Sequence, residues 1–220
     1  EGLYEAGGRN EDLLALLEEK REYVWDEDEK IGLFARVADI LANRLDREEE
    51  AITWLEELFA LTGQSSHVAE RLEALYLKFE RWSEMAPLLR GKMAHLEGEL
   101  RSAVAYQLAV VLRDHLGDLQ GAFDLFSEIL TREPENEACV EALSFLLGMR
   151  DADGYDTIVL KVVEVLEPLA REREDWVRLV DVLEVKATNA PEEKAAANAW
   201  LELGRTCRER LDEPARAMEA

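Results

Sequence analysis

The residues best placed to do chemistry are few. Asp151-Ala152-Asp153-Gly154-Tyr155-Asp156 gathers three carboxylates in six positions, a density that a calcium loop uses. An EF-hand loop, however, needs glycine at its sixth place and a bidentate glutamate at its twelfth. Counted from Asp151, Gly154 is fourth and Val162 twelfth, so the segment reads as a turn leading to an Asp156 helix cap. His67, His95 and His115 fall in separate segments, none with a second His or Cys one helical turn away, and read as exposed or structural imidazoles. Cys139 and Cys207 lie 68 residues apart with no CxxC pair, which suits two apolar fillers better than zinc ligands or a disulfide framework. The acidic run Asp26–Glu29 matches carboxylates facing a helix dipole. No GxSxG, HExxH, Walker A, GxGxxG or Glu-x-x-His sequence occurs, and Gly7-Gly8 reads as a turn. The expectation is a protein without catalysis, metal or cofactor.

Composition narrows the alternatives. Apolar residues make up 48% of the 220 and charged residues 34%, with Leu and Ala abundant, which excludes a disordered chain and points to helices. The 49 acidic against 26 basic side chains leave a formal net charge of −23, a field that repels phosphate backbones and anionic lipids. No nucleic acid and no membrane insertion are expected, since no run of 18 apolar residues exists. No signal-like segment occurs, which says little about location; the compartment is left open, with a soluble, cytoplasmic one favoured.

Apolar residues recur every three to four positions and strict alternation is absent, so the chain reads as about 12 amphipathic helices. Expected spans run Glu11–Val24, Glu29–Leu45, Glu48–Leu61, Ser66–Phe79, Trp82–Leu96 and Leu100–Leu116, then Leu119–Thr131, Glu137–Leu147, Thr157–Ala170, Asp175–Ala187 and Glu192–Arg210, with a fragment from Pro214. Short breakers such as Thr62-Gly63, Gly117-Asp118 and Glu133-Pro134 join them as antiparallel hairpins. Sliding the chain by 72 residues lays Leu16-Leu17 on Leu88-Leu89 and Phe34 on Tyr106; a further 94 takes Tyr106 to Trp200 and Trp82 to Trp176. A four-helix unit therefore recurs, each half of it a hairpin near 35 residues. The longer second shift implies an extra or irregular helix around 147–168.

Tyr106, Ala109, Gly117, Ala122, Phe126 and Pro134, together with Trp200, Leu203 and Gly204, stand at tetratricopeptide spacings, and on these residues the chain resembles that family. Leu72, Tyr76, Trp82 and Leu89 repeat part of the pattern, with Met85 where a small residue is usual. HEAT-type pairs are the architectural alternative, with longer repeats. The resemblance, closest in style to bacterial repeat proteins, implies an all-α fold: a right-handed α-solenoid of antiparallel helix hairpins over residues 1–220. Both ends fall inside repeats, so a stretch of a longer repeat protein is expected.

The resemblance further implies a concave groove, lined by the first helix of each hairpin, that binds a peptide or helix of another protein. Its expected lining is Ala35, Asp39, Glu70, Ala74, Gln107, Val111, Asp114, Leu201 and Arg205. A subclass of the family clamps a C-terminal carboxylate with Lys and Asn; Ala35, Asp39, Glu70 and Ala74 stand in those places and would repel it. The expected partner is cationic or apolar. The alternative is an architectural spacer that self-associates through uncapped ends. Among the tryptophans, Trp54, Trp82, Trp176 and Trp200 read as core, and Trp25 as packed against a core or cap.

Overall fold

The computed structural model describes residues 9–62 and 66–211. Among them are eleven helices and no strand. The first five are α1 (Asn10–Arg21), α2 (Glu27–Arg44), α3 (Glu48–Leu61), α4 (Ser66–Lys78) and α5 (Trp82–Ala94). They are followed by α6 (Gly98–Asp114), α7 (Leu119–Arg132), α8 (Glu137–Leu147), α9 (Tyr155–Glu172), α10 (Trp176–Asn189) and α11 (Glu193–Thr206), the last running into a π-helical turn, Cys207–Leu211. Each expected span has its helix, displaced by a few residues at the ends; Gly7-Gly8, Gly63 and the Pro214 segment lie outside the described residues.

Local chemistry starts these helices. Asp26, Asp118, Asn136 and Asp175 each accept a hydrogen bond from a backbone N–H three residues on, capping α2, α7, α8 and α10. Pro134, one residue beyond the Glu133 cap, prevents α7 from continuing.

A single kind of turn recurs. Asp46, Glu80, Gly117 and Glu174 have φ of 54°, 54°, 67° and 54°, and each stands two residues before the next helix. The amide after each donates back into the preceding helix, Arg47 to Leu41 and Asp118 to Leu112 among them. This left-handed residue reverses the chain in two steps. It closes the pairs α2–α3, α4–α5, α6–α7 and α9–α10. Helix α8 belongs to no such pair.

The chain divides into two compact units, Glu1–Leu88 and Leu89–Ala220. In the first, consecutive helices pack together and alternate between two layers. Arg21 of α1 reaches Glu57 of α3 at 2.6 Å, and Asp39 of α2 meets Arg71 of α4 at 2.8 Å. Its core contains Leu13, Leu17, Val37, Ile40, Leu41, Ile52 and Leu55, with Phe34 edge-on to Trp54 at 5.3 Å between ring centres. Each such Leu or Ile contributes about 1.5–3 kcal/mol by leaving water.

The second unit is layered in the same way. Arg113 of α6 stacks on Phe145 of α8 at 4.9 Å, and Glu137 of α8 pairs with Arg178 of α10 at 2.7 Å. Opposite them, Gln120 of α7 accepts from Lys161 of α9 at 2.7 Å, and Arg171 of α9 pairs with Glu202 of α11 at 2.6 Å. One layer is thus α6, α8 and α10, the other α7, α9 and α11. Ala122, fully buried, lets α7 approach α6 closely, while Phe126 meets Tyr106 edge-on at 5.5 Å. Helix α9 buries one broad face, made of the adjacent rows Tyr155, Val159, Val163 and Ile158, Val162, Leu166.

Candidate functional site

The candidates for chemistry do not assemble. His67, His95 and His115 are exposed, the first in α4 and the others at helix ends. Cys139 and Cys207 are buried free thiols. Among the described residues no group of three His, Cys, Asp or Glu side chains is placed to hold a metal ion. Asp156 is not the cap expected of it: α9 starts two residues earlier than expected, at Tyr155, with Gly154 at the cap and φ 80°. There Thr157 Oγ1 donates to the Gly154 carbonyl at 2.6 Å, because a left-handed glycine turns the chain tightly enough to begin the helix sooner.

The expected lining separates into two groups. In the first unit Ala35 and Asp39 on α2 and Glu70 and Ala74 on α4 share one layer, with Ala35 half-buried and the other three exposed. Asp39 is engaged by Arg71, whereas Glu70 stands exposed on α4. In the second unit Gln107 and Asp114 of α6 are exposed and Val111 is buried in the core.

Leu201 and Arg205 do not join them. Both are exposed, but on α11, in the layer of α7 and α9. The sequence shift matches α11 to α6, yet the lone helix α8 puts an odd number of steps between them. Leu201 and Arg205 instead line a cleft of about 580 Å³ with Trp176, Asn198 and Arg210. The Arg210 guanidinium stands 4.6 Å from the Trp176 ring.

The same inversion exposes residues that the repeat pattern missed. Phe145 on α8 is 58% exposed and Val177 on α10 is 59% exposed, in the layer of Gln107 and Asp114. A cleft of about 470 Å³ runs between α8 and α10, lined by Ser144, Leu147, Val177, Arg178 and Asp181. Asp114 serves the fold: it accepts from Arg113 at 2.6 and 2.9 Å, which lowers its pKa and steadies the guanidinium over Phe145.

Comparison with known proteins gives no match, either to a family model or to a curated protein sequence.

The tryptophans divide differently from expectation. Trp54 is buried, and Trp82, Trp176 and Trp200 are half-buried, the last two packed against the core cluster of Leu179, Val180, Leu183 and Leu203. Trp25 departs furthest: it is 86% exposed and its neighbour Tyr23 73%. Residues 22–26 form the α1–α2 turn, and Val24 alone among them turns inward. No helix of the described residues is long and apolar enough to cross a membrane.

Proposed function

We propose that this chain is a tetratricopeptide-type scaffold that binds another protein and performs no catalysis. The recurring hairpin carries the reading. Four helix pairs are closed by a left-handed residue two positions before the second helix, and within each unit helices alternate between two layers that each leave one flank in water. Such flanks bind extended peptides or partner helices. The surfaces assigned to this role are Asp39, Glu70 and Ala74 in the first unit and Gln107, Phe145 and Val177 in the second. The net charge of −23 favours a cationic segment with apolar anchors over a phosphate-bearing partner.

The test is capture of partners from native extract by the wild type and by the substitutions Glu70→Lys and Gln107→Lys. Gln107 is a cleaner probe than Asp114, whose replacement would also release Arg113. The expected outcome is loss of a salt-sensitive partner with an unchanged circular dichroism spectrum. Full retention of every partner by both variants would rule these two flanks out.

A second reading, self-assembly of a larger repeat protein, is favoured by one observation: Leu201 is 62% exposed at the edge of the Trp176 cleft. Light scattering across concentrations separates the two, because Leu201→Glu abolishes self-association and leaves partner capture intact.

A further inference from the structure

We propose that the α1–α2 turn is a second docking site, apart from the α2–α4 flank, which takes a basic protein segment by seating an arginine side chain on the indole of Trp25. Trp25 and Tyr23 are the two most exposed large apolar side chains of the described residues. Trp25 stands at the rim of a cleft of about 440 Å³ with Val24, Phe34, Ala60 and Leu61. An indole left in water gains by being covered, and its electron-rich face is the best aromatic receptor for a cation.

The surroundings fix the sign of the ligand. Glu22, Asp26, Glu27, Asp28 and Glu29 put five carboxylates within eight positions of chain about Trp25, and Glu22 lines the same cleft. Arg21 and Lys30 share the cleft, but Arg21 is already engaged by Glu57 at 2.6 and 2.8 Å. Asp26 is taken up by the cap of α2, which leaves the exposed carboxylates of Glu22, Glu27, Asp28 and Glu29 for a partner. A phosphate or carboxylate would be repelled here, and a cation drawn in.

The protein itself shows the geometry proposed. Arg21 lies 5.0 Å from the Trp54 ring and 5.7 Å from Phe34 while its edge holds the Glu57 carboxylate. Arg113 over Phe145 beside Asp114 repeats the arrangement. Among the described residues no cation stands over Trp25, so its ring and the adjacent carboxylates repeat two of these three parts. Arginine completes the set better than lysine, because a flat guanidinium covers the indole while its edge donates to carboxylates.

Fluorescence anisotropy of labelled octa-arginine at about 150 mM salt tests this, since exposed long-range attraction is largely screened there. Trp25→Ala changes no charge and is expected to weaken binding roughly five- to tenfold, the size of a partly desolvated cation–π contact. Trp25→Phe should lose less, Glu27→Gln with Asp28→Gln should also weaken binding, and octa-lysine should bind several-fold more weakly than octa-arginine. Equal affinity of the wild type and Trp25→Ala would overturn the proposal by showing that net charge alone holds the peptide. Loss with Glu70→Lys but not with Trp25→Ala would also overturn it, moving the basic segment to the α2–α4 flank. Failure at Trp25 leaves the scaffold reading untouched, and loss of the α2–α4 flank leaves this site standing.

Discussion

Asp46 and Glu80 stand 34 residues apart and share a φ of 54°, each two positions before a helix. Side chains with a Cβ rarely adopt this conformation, which costs an ordinary residue about 1 kcal/mol that glycine avoids. Gly117 fills the equivalent place between α6 and α7, and a Cβ there would meet nothing within 4 Å. Glu80→Gly and Glu174→Gly are therefore expected to stabilise the fold by roughly 0.5–1 kcal/mol each, and Gly117→Ala to destabilise it by about as much. Midpoints of urea unfolding check all three; a destabilised Glu80→Gly would mean that its side chain contributes more than its backbone conformation costs.

The crossing of α6 and α7 is sensitive in both directions. Phe126 is fully buried against Tyr106, so Phe126→Ala should cost about 3–5 kcal/mol through lost burial and the cavity left behind. Ala122 is equally buried where the backbones approach, and Ala122→Leu should cost about 1–3 kcal/mol by forcing them apart. Chemical denaturation of both variants is the measurement. A neutral Ala122→Leu would show that the interface has room.

Acid should act in two stages. Burial raises the Glu167 pKa, but hydrogen bonds from Lys186 at 2.6 Å and Arg171 at 2.8 Å outweigh it and hold the carboxyl below its ordinary 4.5. Glu137 is lowered by the hydrogen bond from Arg178 and then by Arg173. Carboxyls depressed in the folded state contribute stability that is present above about pH 4.5 and is lost as pH falls through their folded values. Between pH 7 and about 5, partial protonation of other carboxylates relieves the repulsion within a chain of charge −23. Thermal melts should thus rise from pH 7 toward about 5 and fall below about 4.5, and added salt should raise the melting temperature at pH 7. Glu167→Gln should flatten the acid limb; an unchanged limb would remove Glu167 from the account.

Cys139 and Cys207 offer a report on opening. Both are buried, and burial pushes the Cys139 thiol up to about 11, so little thiolate exists at neutral pH. A thiol reagent at about pH 8 should leave both unmodified in the folded protein and label both in urea. Prompt labelling without denaturant would show that the α8 or α11 region opens readily.

The parts legible in sequence are those that local pattern decides. Phe34, Trp54, Ala122 and Phe126 pack as their spacing predicts, since helical period and side-chain size alone select the buried face. Asp156 looks like a cap in sequence and is not one, because Gly154, free to take φ 80°, starts α9 before a side-chain cap is needed. Trp25 has the pattern of a packed aromatic beside a helix, and nothing in the sequence tells which side of a five-residue turn faces inward. Trp200 aligns α11 with Tyr106 of α6, and so sets Leu201 and Arg205 on Gln107 and Val111, but layer membership depends on how many helices intervene, which local spacing does not record. Phe145 and Val177 escape the repeat pattern for the same reason. The mismatch between the 72- and 94-residue shifts is the available signal, since it implies one helix too many.

That odd helix has a consequence for anyone who edits or inherits this chain. A stack of two-ply steps keeps its front and back only while steps are added or removed in twos. Duplicating α9–α10 preserves which surface every later helix presents, whereas deleting α8 by itself turns all that follows back to front. Descent with gain or loss of a single helix would thus swap the working side of the downstream array without altering one of its side chains.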